Sequence, residues 1–124
     1  MVRWLPLMLL VASCAGSGKQ VATSAKPADL DEPSLMARLH DQLQPDPASA
    51  LALAEEGEHR FAESPRAEER SALAIQALIN LDRIGAARSR AYQFLARYPH
   101  GPYSAQVAAM TGVHLTPAGP GVHH

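Results

Sequence analysis

The sequence predicts an all-α protein, and three observations carry that prediction. Between residues 34 and 110 alanine is abundant while β-branched residues are sparse, and aromatics make up only 5% of the chain, a balance that favours helix over strand. Apolar residues in that stretch recur at three- and four-residue spacing, the period of a helix face. Proline follows an aspartate, serine or glycine at Pro47, Pro65 and Pro102, as it does in the first turn of a helix.

The elements follow in order. Residues 34–43 are expected to form a short helix, with Leu35, Met36, Leu39 and Leu43 giving one apolar stripe. Asp46-Pro47 reads as an N-cap and first-turn proline, opening a helix that runs to about Phe61. Its stripe, Ala50, Leu53/Ala54, Gly57 and Phe61, is built mainly from small residues, which permit close helix approach. Ser64-Pro65 repeats the start signal and predicts a helix through about Asn80. In it Ala72, Leu73, Ala74, Ile75, Ala77, Leu78 and Ile79 leave only Gln76 and Asn80 polar, so this helix belongs in the middle of a bundle. Asp82-Arg83-Ile84-Gly85 is expected to make a turn. The next helix runs to about Tyr98, with Ala87, Ala91, Phe94, Leu95 and Tyr98 inward and an arginine-rich face outward. Pro99 ends it, and Gly101-Pro102 opens a last short helix carrying Tyr103, Val107 and Met110, ending near Gly112.

The same landmarks form an internal repeat. Phe61-Ala62-Glu63-Ser64-Pro65 matches Tyr98-Pro99-His100-Gly101-Pro102 at an offset of 37, and that offset also places Ala50 on Ala87 and Ala54 on Ala91. Over residues 47–110 the chain resembles a tetratricopeptide-type repeat: Ala87, Ala91, Phe94 and Pro99 fall at the small, packing and terminal-proline positions of the second helix. The phrase at residues 94–103 resembles the one that joins repeats in periplasmic helical-repeat lipoproteins of envelope assembly. The first-helix aromatic and the Leu-Gly pair of the standard repeat are replaced by Ser71, Ala74 and Ile75, and about one full repeat is present with a half on each side. A simple antiparallel bundle with a repeated turn is the other arrangement these residues allow. The resemblance implies a short solenoid, spanning residues 34–112, that binds extended or helical peptide segments.

The start of the chain assigns a place before it assigns an activity. Arg3 precedes an apolar run at residues 4–12, and Val11-Ala12-Ser13-Cys14 resembles the lipobox of bacterial lipoproteins, an aliphatic residue, two small ones and a cysteine. The run is too short to span a bilayer as a helix. Residues 1–13 are expected to be a signal peptide, and Cys14 the lipidated N-terminus, each buried methylene of its acyl chains contributing about 0.8 kcal/mol of anchoring. An ordinary secretory signal or an uncleaved anchor are the alternatives. Ala15 follows the cysteine, where an aspartate would favour inner-membrane retention in this family, so the resemblance implies the periplasmic face of an outer membrane. Residues 14–33 read as a flexible tether, of roughly 23 Å root-mean-square span, and residues 113–124 as a disordered tail. The chain's single cysteine is taken by lipid, so no intramolecular disulfide reinforces the fold.

Charge is unevenly spread. All twelve acids lie between Asp29 and Asp82, and from Arg83 onward there are four arginines and no acid. Arg83, Arg90 and Arg97 recur every seven residues and share a helical flank, the candidate partner-binding residues. They suit an acidic protein face, cell-wall carboxylates or anionic headgroups; a solvated flank paired with the acidic half is the bland reading of the same residues. A nucleic-acid role conflicts with export and lacks interleaved aromatics.

Catalytic chemistry finds no footing. Gly16-Ser17-Gly18-Lys19 lacks the first glycine and following hydroxyl of a phosphate loop, with Ser13 and Gln20 at those places. Six histidines show no His-Glu-x-x-His spacing and no Cys-x-x-Cys exists, so no metal is expected. Glu55, Glu56, Glu58, Glu63, Glu68 and Glu69 read as solvated surface, and the sequence holds no Gly-x-Ser-x-Gly elbow. The reading is a non-enzymatic, lipid-anchored adaptor or assembly factor with no cofactor beyond the lipid on Cys14, no small-molecule substrate, and a protein partner or a second copy. The alternative is a structural lipoprotein binding cell wall or anionic membrane.

Overall fold

The computed structural model describes residues 26–115. The expected signal peptide, Cys14, most of the expected tether and most of the expected tail therefore lie outside the described residues. Within them the chain is all-helical: a 3-10 turn at Pro27–Asp29, then α1 (Glu32–Gln42), α2 (Pro47–Arg60), α3 (Ala67–Asn80), α4 (Ile84–Arg97) and α5 (Ser104–Thr111).

Local chemistry sets each boundary. Asp31 caps α1, its Oδ1 accepting the Ser34 N–H at 3.0 Å, so α1 starts two residues before the expected Ser34, with Pro33 in its first turn. Asp46 caps α2 as the sequence predicts, accepting from Ser49 N–H at 3.2 Å. Ser64-Pro65 behaves otherwise: Ser64 Oγ accepts the Arg66 N–H at 2.9 Å and Ser64 O the Ala67 N–H at 3.0 Å. That turn spends the start signal, and α3 begins only at Ala67. Gly101-Pro102 does the same, Gly101 O accepting from Ser104 N–H at 3.1 Å, so α5 starts at Ser104. The end of α3 is a Schellman motif. Asp82 sits at φ 63°, its N–H bonding Ile79 O at 2.9 Å, while the Arg83 N–H bonds Leu78 O at 2.8 Å.

The 37-residue repeat is structural. At that offset α2 superposes on α4 end to end, and the first residue of α3 falls on the first of α5. Phe61 and Tyr98, the matched C-caps, have nearly the same φ, −127° and −125°, and each donates its N–H four residues back, to Gly57 O and Phe94 O.

Successive helices joined by connections of three to six residues pack side by side, and α3 touches all four others. Its apolar surround is the reason: Ala74, Ile75 and Ala77 are fully buried among Leu35, Met36 and Leu39 of α1, Ala50 and Ala54 of α2, Ala87 and Ala91 of α4, and Val107 of α5. Each of the large side chains in this set stabilises the fold by about 1.5–3 kcal/mol. Polar ties cross the helices: Asn80 Nδ2 donates to Leu43 O at 2.9 Å, fastening the end of α3 to the end of α1.

Both expected limits of the domain are too narrow. Arg60 Nη1 donates to Pro27 O at 3.1 Å and Leu30 O at 2.7 Å, and Leu30 packs on the core, so residues 27–33 belong to the domain and not to the tether. Val113, assigned to the tail, is 1% exposed, and its N–H bonds Thr111 Oγ1 at 3.2 Å. No helix among the described residues is long and apolar enough to cross a membrane.

Candidate functional site

The arginine flank leads to a cleft of about 280 Å³ where the end of α2, the start of α3 and the end of α4 converge. Glu58, Arg70, Arg90, Gln93, Arg97 and Tyr98 line it. Each helix contributes for a local reason. The seven-residue spacing of Arg90 and Arg97 brings both to one side of α4 at its C-terminal half. The start of α3 at Ala67 places Arg70 one turn inside, and Glu58 stands on the last turn of α2.

Arg83 does not join them. It precedes α4, exposed, roughly 10 Å below Arg90 along the axis at 1.5 Å per residue. Of the three predicted arginines the fold gathers two.

Arg90 Nη2 donates to Glu58 Oε1 at 2.9 Å, an ion pair only partly open to solvent, tying α4 to α2. It joins the basic half of the sequence to the acidic half. The Arg97 guanidinium lies 5.5 Å from the Tyr98 ring centroid, and Tyr98 packs on Phe94 with centroids 5.0 Å apart at 49°. The two arginines thus share the C-terminal half of α4 with an aromatic pair.

Arg70 is the residue that sequence reasoning missed. Its side chain is fully buried, Nη1 donating to Glu32 Oε2 at 2.8 Å and Nη2 to Phe61 O at 2.7 Å. Those bonds join α3 to α1 and to the end of α2. A signal was available, because the 37-residue offset places Arg70 on Val107, a fully buried apolar position. A cation in a core slot needs its own partner.

The glutamates of the α3 first turn correct another expectation. Glu68 and Glu69 are partly buried braces and not solvated surface. Glu68 Oε2 accepts the Tyr103 N–H at 3.2 Å, supporting the start of α5. Glu69 bonds His40 Nε2 at 2.8 Å and Arg66 Nε at 3.1 Å, tying α3 to α1. Burial pulls the Glu69 pKa up, but the His40 and Arg66 hydrogen bonds and their charges outweigh it, and the carboxyl sits below its ordinary value. Asp31 is likewise held low, by its bonds from the Ser34 side chain and backbone.

Among the described residues no group of three or more His, Cys, Asp or Glu is placed to hold a metal ion. What the cleft offers is arginine donors beside a carboxylate and an aromatic surface, which suits recognition of an acceptor-bearing ligand. Comparison of the chain with known protein families, with characterised proteins and with solved structures gives no match.

Proposed function

We propose that this chain is an exported, lipid-anchored, non-catalytic adaptor or assembly factor of a bacterial envelope, fixed to the periplasmic face of the outer membrane through Cys14. Its helical domain, a tetratricopeptide-like solenoid fragment in this reading, presents the cleft to a protein partner. The observation that carries the reading is the convergence of Arg90 and Arg97 on one opening, beside Phe94 and Tyr98. The repeat supports a helical-repeat interaction module: α2 and α4 match in length and in C-cap geometry, yet the repeats are few, which suits completion by a partner or a second copy.

The test is crosslinking in intact cells followed by recovery of the tethered protein, with the parent chain and with Arg90→Glu/Arg97→Glu. Recovery of a defined protein by the parent and its loss with the variant support the adaptor. Equal recovery removes the arginine cleft from the interaction. Capture of wall material or anionic lipid alone, weakening with salt, would establish the structural-lipoprotein alternative instead.

A further inference from the structure

Among the described residues two buried side-chain nitrogens lack a hydrogen-bond acceptor, Arg70 Nε and Arg90 Nη1. Both arginines line the same cleft. A buried N–H without an acceptor is uncommon in a native fold; Arg70 Nε lies against Gly57, which leaves Arg90 Nη1 as the donor of interest for a ligand. The lining supplies three guanidinium groups against the single carboxylate of Glu58, with Glu32 engaging Arg70 from α1. Donors are in excess there, and acceptors are short.

The unused donor on Arg90 narrows the chemistry. A guanidinium presents its donors as a planar fork that fits both oxygens of a carboxylate. Glu58 takes Nη2 and leaves Nη1 open, so the internal ion pair uses part of the fork. Further along α4 from Arg90, the Arg97–Tyr98 stack on Phe94 gives the cleft a surface for apolar atoms next to a charged group. A bare phosphate would use the arginines and leave that aromatic surface idle. A peptide carboxylate flanked by carbon uses both.

We propose that the cleft binds an acidic segment of a partner protein, one carboxylate seated against Arg90 and Arg97, with Glu58 as the internal acceptor that the incoming carboxylate displaces or joins. This rests on the adaptor reading and names the chemistry of its partner.

The probe is a fluorescein-labelled peptide of twelve residues alternating glutamate and leucine, with a companion in which glutamine replaces every glutamate. Both are titrated against the full chain and read by anisotropy. The glutamate peptide is expected to bind and the glutamine peptide not. Arg90→Gln and Arg97→Gln each weaken binding by about tenfold, as loss of a charge-assisted hydrogen bond does, while Arg88→Gln, a change of equal charge on the same helix outside the cleft, leaves it unaltered. Glu58→Gln is expected to tighten binding several-fold by removing the competitor, the reverse of what a purely structural Glu58 gives. In protein labelled with nitrogen-15 at arginine, the Arg90 side-chain resonance shifts on titration.

Equal affinity for the two peptides, undiminished affinity in Arg90→Gln, or weaker binding in Glu58→Gln would each overturn the proposal. Displacement of the peptide by inorganic phosphate at matched affinity would also overturn it, in favour of a simple anion site. The failures are separable: a partner captured in cells with no discrimination between the peptides leaves the adaptor standing and removes the carboxylate. Clean discrimination with no partner captured does the opposite.

Discussion

Arg70 occupies the space that a β-carbon on residue 57 would need. A Cβ built on Gly57 overlaps Arg70 Cδ, comes within 2.8 Å of Nε and lies 3.2 Å from Leu35 Cδ2. One repeat later the matched residues are Phe94 and Val107. The two units fill one slot in opposite ways, a glycine with a long cation in the first and a large aromatic with a short aliphatic in the second. All four residues are buried.

Gly57→Ala is therefore expected to destabilise the domain although alanine is the better helix former. Overpacking a core costs about 1–3 kcal/mol, more than the roughly 1 kcal/mol gained in helix propensity, and Arg70 cannot swing aside because both of its terminal nitrogens are held. The double variant Gly57→Ala/Arg70→Val should recover part of the loss, since valine is what the matched position already carries. Urea unfolding of the four proteins gives the coupling directly, and strictly additive losses would count against the shared slot.

Removing Glu32 should cost more than replacing the arginine it pairs with. Glu32→Ala leaves a fully buried guanidinium with Phe61 O as its remaining acceptor, a loss of about 3 kcal/mol. Arg70→Met keeps the stem's packing and leaves a Glu32 that still reaches water. Denaturant midpoints in the order parent, Arg70→Met, Glu32→Ala check the ranking.

Acid should loosen the tie between α1 and α3 through Glu69. Its pKa is lowered by folding, so its contribution is complete above the unfolded value near 4.5 and is lost as pH falls through the lower folded value. The difference in melting temperature between the parent and Glu69→Gln is expected to shrink as pH falls below about 5. A gap that widens over that acid range would reverse the assignment.

The sequence made the helices legible because their faces are periodic and Asp46-Pro47 is an unambiguous start. Starts marked by Ser64-Pro65 and Gly101-Pro102 were displaced inward by turns in which the Ser64 and Gly101 carbonyls and the Ser64 and Ser104 hydroxyls take up the backbone N–H groups. Asp31-Glu32-Pro33 carries a cap and a proline, yet it lies in a polar stretch that reads as tether. The cleft was half legible. Heptad spacing placed Arg90 and Arg97 together, but the same spacing included Arg83, because periodicity says nothing of where a neighbouring helix ends. Arg70 was hidden by its charge, which suggests surface until the repeat aligns it with Val107.

Asp82 offers a gain in stability. It holds the left-handed C′ position of α3 at φ 63°, exposed to solvent, where glycine avoids the steric penalty on a β-carbon. Asp82→Gly is expected to add about 0.5–1 kcal/mol, and Asp82→Val to subtract at least as much, read as opposite shifts in melting temperature.

The claim on which the functional account rests is that Cys14 becomes the acylated first residue, because an adaptor held at a membrane needs that anchor. Intact-mass analysis of the protein extracted from its own cells tests it most directly. The expected product is a chain beginning at Cys14, heavier by a diacylglyceryl group with or without a further acyl chain, and lacking the single tryptophan of the sequence, Trp4. An unacylated chain, or one still beginning at Met1, would contradict it.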